Sequence, residues 1–129
     1  MIAFNIIKME ILIHEEAGKK IAQIFSDSVI LNNEQDALNL MADPRLCGAK
    51  RLIIEQKNIT PDFFELRTRV AGDVLQKFVN YYFKVAIVGD FDNIESKVLK
   101  AFVFESNRGN EIFFVDDVNS AKMMLFAAK

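Results

Sequence analysis

The sequence contains no tryptophan, one cysteine, one histidine and two prolines in 129 residues. The single cysteine, Cys47, excludes an intramolecular disulfide and a cysteine-based metal site, and it is typical of a chain kept in a reducing cytoplasm. The five glycines are scattered, and none belongs to a phosphate-binding loop of the GxGxxG or GxxxxGKS/T type. These absences exclude the commonest cofactor-binding motifs, so no cofactor is predicted.

An excess of positive charge is also missing. The chain has 16 basic and 18 acidic residues and a formal net charge of −2, whereas nucleic-acid binding needs a basic stripe. Nucleic acid is therefore not predicted as a partner. The apolar start, MIAFNIIK, is far shorter than the ~20 residues of a membrane-spanning helix. We predict a cytoplasmic chain with no membrane association.

Hydrophobic residues make up 51% of the chain, and twelve of them are phenylalanines that must supply most of the large core side chains. A chain of this length forms one domain and can bury roughly two thirds of the surface it exposes when unfolded. We predict a single α/β domain over residues 1–129, with residues 1–8 as an N-terminal extension.

Short apolar runs alternate with segments of helical spacing. Strands are predicted at residues 9–14, 21–25, 50–54, 84–89 and 111–115. Capping or first-turn residues predict where the four helices begin: near Asn33, at Pro61, at Ser96, and at Asn119 or Ser120. The longest helical pattern runs through Val70, Val74 and Phe78.

The predicted element order is β-β-α-β-α-β-α-β-α. Strands that alternate with helices favour a mixed, mostly parallel sheet of four or five strands, in which the opening hairpin adds an antiparallel strand near one edge. We expect Ile53, Ile87 and Phe113 on interior strands. Two glycines also receive structural predictions, Gly72 as a point of close packing against the sheet and Gly109 as a left-handed helix end.

Neither the lone histidine, His14, nor Cys47 has a partner motif, so no catalytic and no metal-ligating residue is predicted. Acidic residues follow three of the predicted strands, and Asp90 follows the buried run KVAIVG. Such a cluster could bind a hard cation through oxygen ligands. We favour the alternative that Asp90 and its neighbours are turn and helix-start acids, because no spacing among them is specific for a metal.

The segment before the long helix is the better candidate for binding. Thr68 stands between Arg67 and Arg69, and Phe63 is next to a second phenylalanine, so the two rings cannot easily both turn inward. A helix start that carries arginines attracts anions. We predict that residues 60–69 form a surface recognition edge, with Phe63, Glu65, Arg67, Thr68, Arg69 and the nearby Asp90 as hypothetical binding residues. The alternative is an ordinary amphipathic helix start.

Three stretches, DALNLMA, KNITPDFFELRTRVAGDVLQKFVNYYFKVAIVGDF and ESNRGNEIFFVDDVNSAKMML, resemble a bacterial domain-of-unknown-function family, number 4180. The resemblance runs from about Met9 to the last helix. The family has no established activity, so the resemblance implies no catalytic residue.

The element order also resembles that of the STAS fold, the anti-sigma-factor-antagonist domain. In STAS antagonists a serine or threonine at the start of the second helix is phosphorylated by a partner kinase. The usual Asp-Ser pair is missing here, and Thr68 is the nearest hydroxyl.

We therefore predict a small regulatory domain that binds a protein partner and is a monomer or a homodimer. The alternative is a small-molecule or anion sensor that uses the crevice at the carboxyl ends of the strands. The third hypothesis is an enzyme that uses Asp90 or Cys47, and the absence of a catalytic set in the sequence argues against it.

Overall fold

A computed structural model describes residues 9–129 of the chain. Five strands form one mixed sheet in which each strand lies beside the next along the sequence. The strands are β1 Met9–Glu16, β2 Lys19–Ser26, β3 Arg51–Glu55, β4 Lys84–Val88 and β5 Ile112–Val115. β1 is antiparallel to β2, and all other neighbours are parallel. The predicted α/β class, element order and edge hairpin are confirmed.

Four helices cover the sheet: α1 Glu34–Met41, α2 Val70–Asn80, α3 Lys97–Arg108 and α4 Val118–Ala127. Right-handed crossovers between strands that advance in one direction bring their helices to one face of the sheet. α1, α2 and α3 accordingly share one hydrophobic core, which we call the front core. α4 follows the last strand and packs alone on the opposite face, where it forms the smaller back core.

Alternation along the strands supplies both cores. Leu52 and Ile54 of β3 are 0% exposed in the front core, whereas Ile53 between them is 0% exposed in the back core. On the back, Ala121 and Leu125 of α4 cover this row of strand residues. The near-continuous apolar runs of the sequence therefore mark strands that are buried on both faces.

Helix caps were predicted well in two of three cases. The Asn33 side chain accepts the Asp36 N–H at 2.9 Å, and the Ser96 hydroxyl accepts the Leu99 N–H at 3.2 Å. The prediction for α4 is wrong, because Asp117 is the cap and accepts the Ser120 N–H at 2.7 Å. The carboxylate of Asp117 satisfies a free N–H of the first turn, which leaves Asn119 and Ser120 inside the helix.

Two glycine predictions are wrong. Gly109 has φ −85° and ψ −161°, an extended conformation, because the chain enters β5 almost immediately. Gly72 lies on the exposed side of α2, where an added Cβ would meet nothing within 4 Å. It therefore does not serve close packing.

The sheet position predicted for Phe113 is also wrong. Ile53 and Ile87 lie on the interior strands β3 and β4, but Phe113 lies on β5, which ends the sheet. Phe113 is nevertheless 2% exposed, because α4 covers its face of the sheet. Its burial therefore comes from the helix above the sheet rather than from a strand on each side.

Candidate functional site

Residues 60–69, the α2 lead-in, connect the sheet to α2. Two short 3₁₀ helices, Pro61–Phe64 and Leu66–Thr68, precede the α-helix, which begins at Val70. Pro61 sits at the start of the first of them, where its missing N–H removes no helical hydrogen bond. The α-helix thus begins at Val70 rather than at Pro61 as predicted, and Arg67 and Arg69 precede it.

Phe63 is the anchor of the lead-in. Its side chain is 1% exposed and belongs to the front core. The prediction of Phe63 at the surface is therefore wrong, because the 3₁₀ turn after Pro61 directs this ring into the protein. The neighbouring Phe64 is half-buried, and its ring centroid lies 4.9 Å from that of Phe63.

Thr68 holds the second half of the lead-in. Its exposed hydroxyl lies 2.6 Å from the carbonyl oxygen of Asp62 and 2.8 Å from that of Glu65. The same oxygen accepts the Val70 N–H at 3.3 Å, in the first turn of α2. The hydroxyl therefore fastens the lead-in and helps to satisfy the start of the helix, because Arg69 provides no side-chain cap.

The charged side chains of the lead-in are in solvent. The side chain of Arg67 is 88% exposed, and its Nε lies 3.8 Å from Oε2 of Glu65, which is 63% exposed. Such an exposed ion pair contributes little to stability. Arg69 is exposed and has φ 66°, a left-handed conformation that is uncommon outside glycine and asparagine.

Asp90 lies at the same end of the sheet as the lead-in. It follows β4 and is exposed, and its carboxylate accepts the Asp92 N–H at 3.2 Å. This bond has the form of an Asx turn, in agreement with a role for Asp90 in turning the chain. The backbone N–H of Asp90 donates to the Gln56 side chain at 3.3 Å. An added Cβ at the preceding Gly89 would overlap Gln56, with its Cβ only 2.8 Å away.

A row of four phenylalanine rings runs from the lead-in across the front core to α3. Phe64 of the lead-in contacts Phe91 at 6.1 Å between centroids, and Phe91 contacts Phe114 at 5.2 Å. Phe102 of α3 extends the row at 5.9 Å from Phe114. Phe64 and Phe91 thus lie near the carboxyl ends of the strands, where an open α/β sheet commonly binds ligands, and they pack on the front core.

The groups with shifted pKa values each have a local cause for the shift. The side-chain hydrogen bond from Arg45 holds the pKa of Asp43 below its usual value. The Ser120 N–H, capped by Asp117, lowers the pKa of that carboxyl. These are ordinary turn and cap interactions and do not indicate an acid–base pair.

His14 and Cys47 have structural contacts of their own. His14 Nε2 lies 2.8 Å from the side-chain oxygen of Gln23 on the neighbouring strand. Cys47 is exposed, and its carbonyl accepts a hydrogen bond from Lys20. Across residues 9–129, no three histidine, cysteine, aspartate or glutamate side chains come together as a potential metal site.

Sequence reasoning missed Asn58, which lies two residues before the lead-in and ties it to the segment that follows β2. This residue is 1% exposed, and its side-chain nitrogen donates to the carbonyls of Ser26 and Ser28 at 2.8 and 2.9 Å. The backbone carbonyl of Asn58 accepts the Ile30 N–H at 2.8 Å. The one available signal was an asparagine directly between a strand and an Ile-Thr-Pro sequence, a position that favours side-chain to backbone bonds.

No helix within the described residues is both long and apolar enough to cross a membrane. Comparison with curated proteins gives no match. The sequence model of a family described as a domain of unknown function, DUF4180, matches residues 16–125.

One solved structure is similar over nearly the whole chain. It is the crystal structure of an uncharacterised protein of the DUF3478 family from Shewanella loihica PV-4, described as having a SpoIIAA-like fold. The two chains are 16% identical, the TM-score is 0.47, and the similarity covers 97% of this chain and 99% of that one. This similarity is too low to support a functional argument, and the fold assignment rests on the sheet topology described above.

Proposed function

This chain belongs to the DUF4180 family of unknown function, and we propose that it is a cytoplasmic regulatory domain that binds a protein partner through the α2 lead-in. The observation that carries the proposal is the contrast within the lead-in. Its backbone is fixed by Phe63 and Thr68, whereas Arg67 and Glu65 extend into solvent with only a weak ion pair between them.

A fixed backbone with free charged side chains suits recognition for a physical reason. Binding requires little loss of backbone freedom when the segment is already ordered. The guanidinium of Arg67 can then form paired hydrogen bonds with a carboxylate on a partner. Charges that lie at the rim of such a contact mainly affect specificity and the rate of association.

The alternative function, a small-molecule or anion sensor in the strand-end crevice, has less support. The rings of Phe64, Phe91 and Phe114 contact one another there and pack on the front core, which gives the region few polar groups for a ligand. The two depressions beside them have volumes of about 310 and 320 Å³, at the small end for ligand pockets. An enzyme has the least support, because no nucleophile and base are brought together in the described contacts.

The role of the lead-in in binding can be tested by capture of partners from a lysate of the native host. We expect the double variant Arg67→Ala/Arg69→Ala to lose a partner that the unchanged chain retains. Both side chains are exposed, so the free energy of unfolding should change by no more than about 0.5 kcal/mol.

The matched control is Lys97→Ala/Lys100→Ala, which removes the same charge from the exposed side of α3. It should capture the partner normally. Equal capture by the unchanged chain, the arginine variant and the lysine control would exclude the lead-in as the binding surface. A large loss of stability in the arginine variant would show instead that these side chains are structural.

A further inference from the structure

The β1–β2 hairpin determines which backbone groups of β1 point away from the sheet. Its two-residue turn has Ala17 at φ 51° and Gly18 at φ 80°, the positive dihedrals of a type I′ turn. The pair that flanks such a turn, Glu16 and Lys19, is hydrogen-bonded, and bonded and non-bonded pairs alternate along an antiparallel ladder. The odd-numbered residues of β1 therefore direct their N–H and C=O groups outward.

These outward groups are almost entirely unpaired within residues 9–129. The carbonyl of Met9 accepts a hydrogen bond from Arg45 Nη1 at 2.6 Å. The outward groups of Ile11 and Ile13 have no partner in the described part of the chain, although the side chains of both residues pack on the front core. An open edge of this kind is a template for another strand.

We propose that the occupant of this edge is a second copy of the chain, whose β1 pairs antiparallel with the first β1 about a two-fold axis. The contact is then self-complementary, as in most homodimers. Front-facing side chains must remain opposite front-facing side chains. Only registers that place odd residues opposite odd residues are therefore allowed.

Charge and apolar contact together select one of these registers. If Ile11 lay opposite its own copy, Leu12 would face Glu10, so this half-exposed leucine would have no apolar partner across the contact. If Ile13 lay opposite its own copy, Glu10 would lie opposite Glu16, and like charges in that position are destabilising. If Leu12 lies opposite its own copy, Glu10 faces His14 instead. This third register brings no two acids together within β1 and forms about four backbone hydrogen bonds through Ile11 and Ile13.

The side chains on both faces fit the same register. Leu12 is on the back of the sheet and is 49% exposed, so its contact with Leu12 of the second copy removes apolar surface from water. On the front, Met9 faces Glu15 of the second copy. Arg45 is bound to the Met9 carbonyl and also paired with Asp43 of its own chain at 2.8 Å. The Glu15 carboxylate of the second copy would therefore approach an existing ion pair, and the main contribution to the contact comes from Leu12 and the backbone hydrogen bonds.

Sedimentation at several protein concentrations tests the interface. We expect the full chain to dimerise reversibly, and Leu12→Lys to weaken dimerisation by about tenfold or more, equivalent to ~1.4 kcal/mol, because two ammonium groups would face each other. Met123→Lys is the matched control, since Met123 is 68% exposed on α4, and it should dimerise normally. A chain that remains monomeric, or a dimer unaffected by Leu12→Lys, overturns the proposal.

Disulfide trapping tests the register. In a Cys47→Ser background, Leu12→Cys places two thiols opposite each other with Cα atoms about 4.5 Å apart, within reach of a disulfide. Glu10→Cys is the control, because its two copies would be four positions out of register, roughly 13 Å apart. Rapid crosslinking of Leu12→Cys alone supports the proposed pairing, whereas equal or faster crosslinking of Glu10→Cys overturns it.

Discussion

β5 and β1 are the two edge strands of the sheet, but the backbone groups that point outward from them differ in whether they have hydrogen-bond partners. At β5, the Asn107 side chain from α3 accepts the Phe114 N–H at 2.7 Å and donates to the Phe114 carbonyl at 3.1 Å. One amide thus satisfies both outward groups of that residue. At β1, the corresponding groups of Ile11 and Ile13 have no side-chain partner within residues 9–129.

The two sides of the sheet differ on the back face as well. α4 lies over β4 and β5 and buries Phe113 to 2% exposure. Leu12 and Phe25, on β1 and β2, remain 49% and 38% exposed. Within residues 9–129, the chain therefore closes the β5 edge with its own side chains and leaves unpaired backbone groups and apolar surface at the β1 edge.

Loss of the two hydrogen bonds between the Asn107 side chain and the Phe114 backbone should have the largest effect on stability. We expect Asn107→Ala to lower the free energy of unfolding by about 2 kcal/mol, because two half-buried backbone groups lose their partner. Urea denaturation measures the loss. Gln76→Ala is the control, since the Gln76 amide bonds only to Asn80 on the surface of α2. If the two variants were equally stable, the Asn107 hydrogen bonds would not stabilise the β5 edge.

Loss of the hydrogen bonds from Arg51 to the end of α4 should have the second largest effect on stability. Arg51 on β3 donates to the carbonyls of Leu125 and Ala128, at 2.8 and 3.1 Å, and so fastens the end of the helix. We expect Arg51→Ala to cost about 1–2 kcal/mol in urea denaturation, because the last carbonyls lose a charged donor. Arg108→Ala, which removes an exposed arginine from α3, should be nearly neutral. A neutral Arg51→Ala would mean that the back core and Lys19, whose Nζ donates to the Phe126 carbonyl at 2.9 Å, hold α4 without Arg51.

The smallest effect concerns Gly72, which lies away from both edges. Its exposed position on α2 has room for a methyl group, so Gly72→Ala should raise the free energy of unfolding by about 0.5–1 kcal/mol through helix propensity. The dimerisation constant should not change. A stabilised variant with altered dimerisation would show that association follows overall stability rather than the β1 edge.

Local chemistry made part of this structure predictable. Asn33 and Ser96 cap helices because each oxygen reaches an N–H only three residues away. The hairpin and the buried strands also follow from short-range pattern. Even the error at Asp117 is a choice among neighbouring capping residues, and it leaves the existence of α4 unaffected.

Contacts between distant segments were not predictable in this way. Asn58 bonds to residues 32 and 30 positions earlier in the chain, and no periodicity indicates such a partner. The burial of Phe63 depended on a 3₁₀ turn that replaced the first turn of the expected helix. The charged residues of the lead-in were predicted at the surface and lie there, whereas their role in binding stays a proposal.

Amide hydrogen exchange at low and high protein concentration tests the difference between the edges most directly. The Phe114 N–H should be protected at both concentrations, because its acceptor is Asn107 of the same chain. The N–H groups of Ile11 and Ile13 should exchange rapidly in dilute solution and become protected as the dimer forms. Protection of the Ile11 and Ile13 N–H groups in dilute solution, or their rapid exchange at both concentrations, would contradict an open β1 edge that pairs in a dimer.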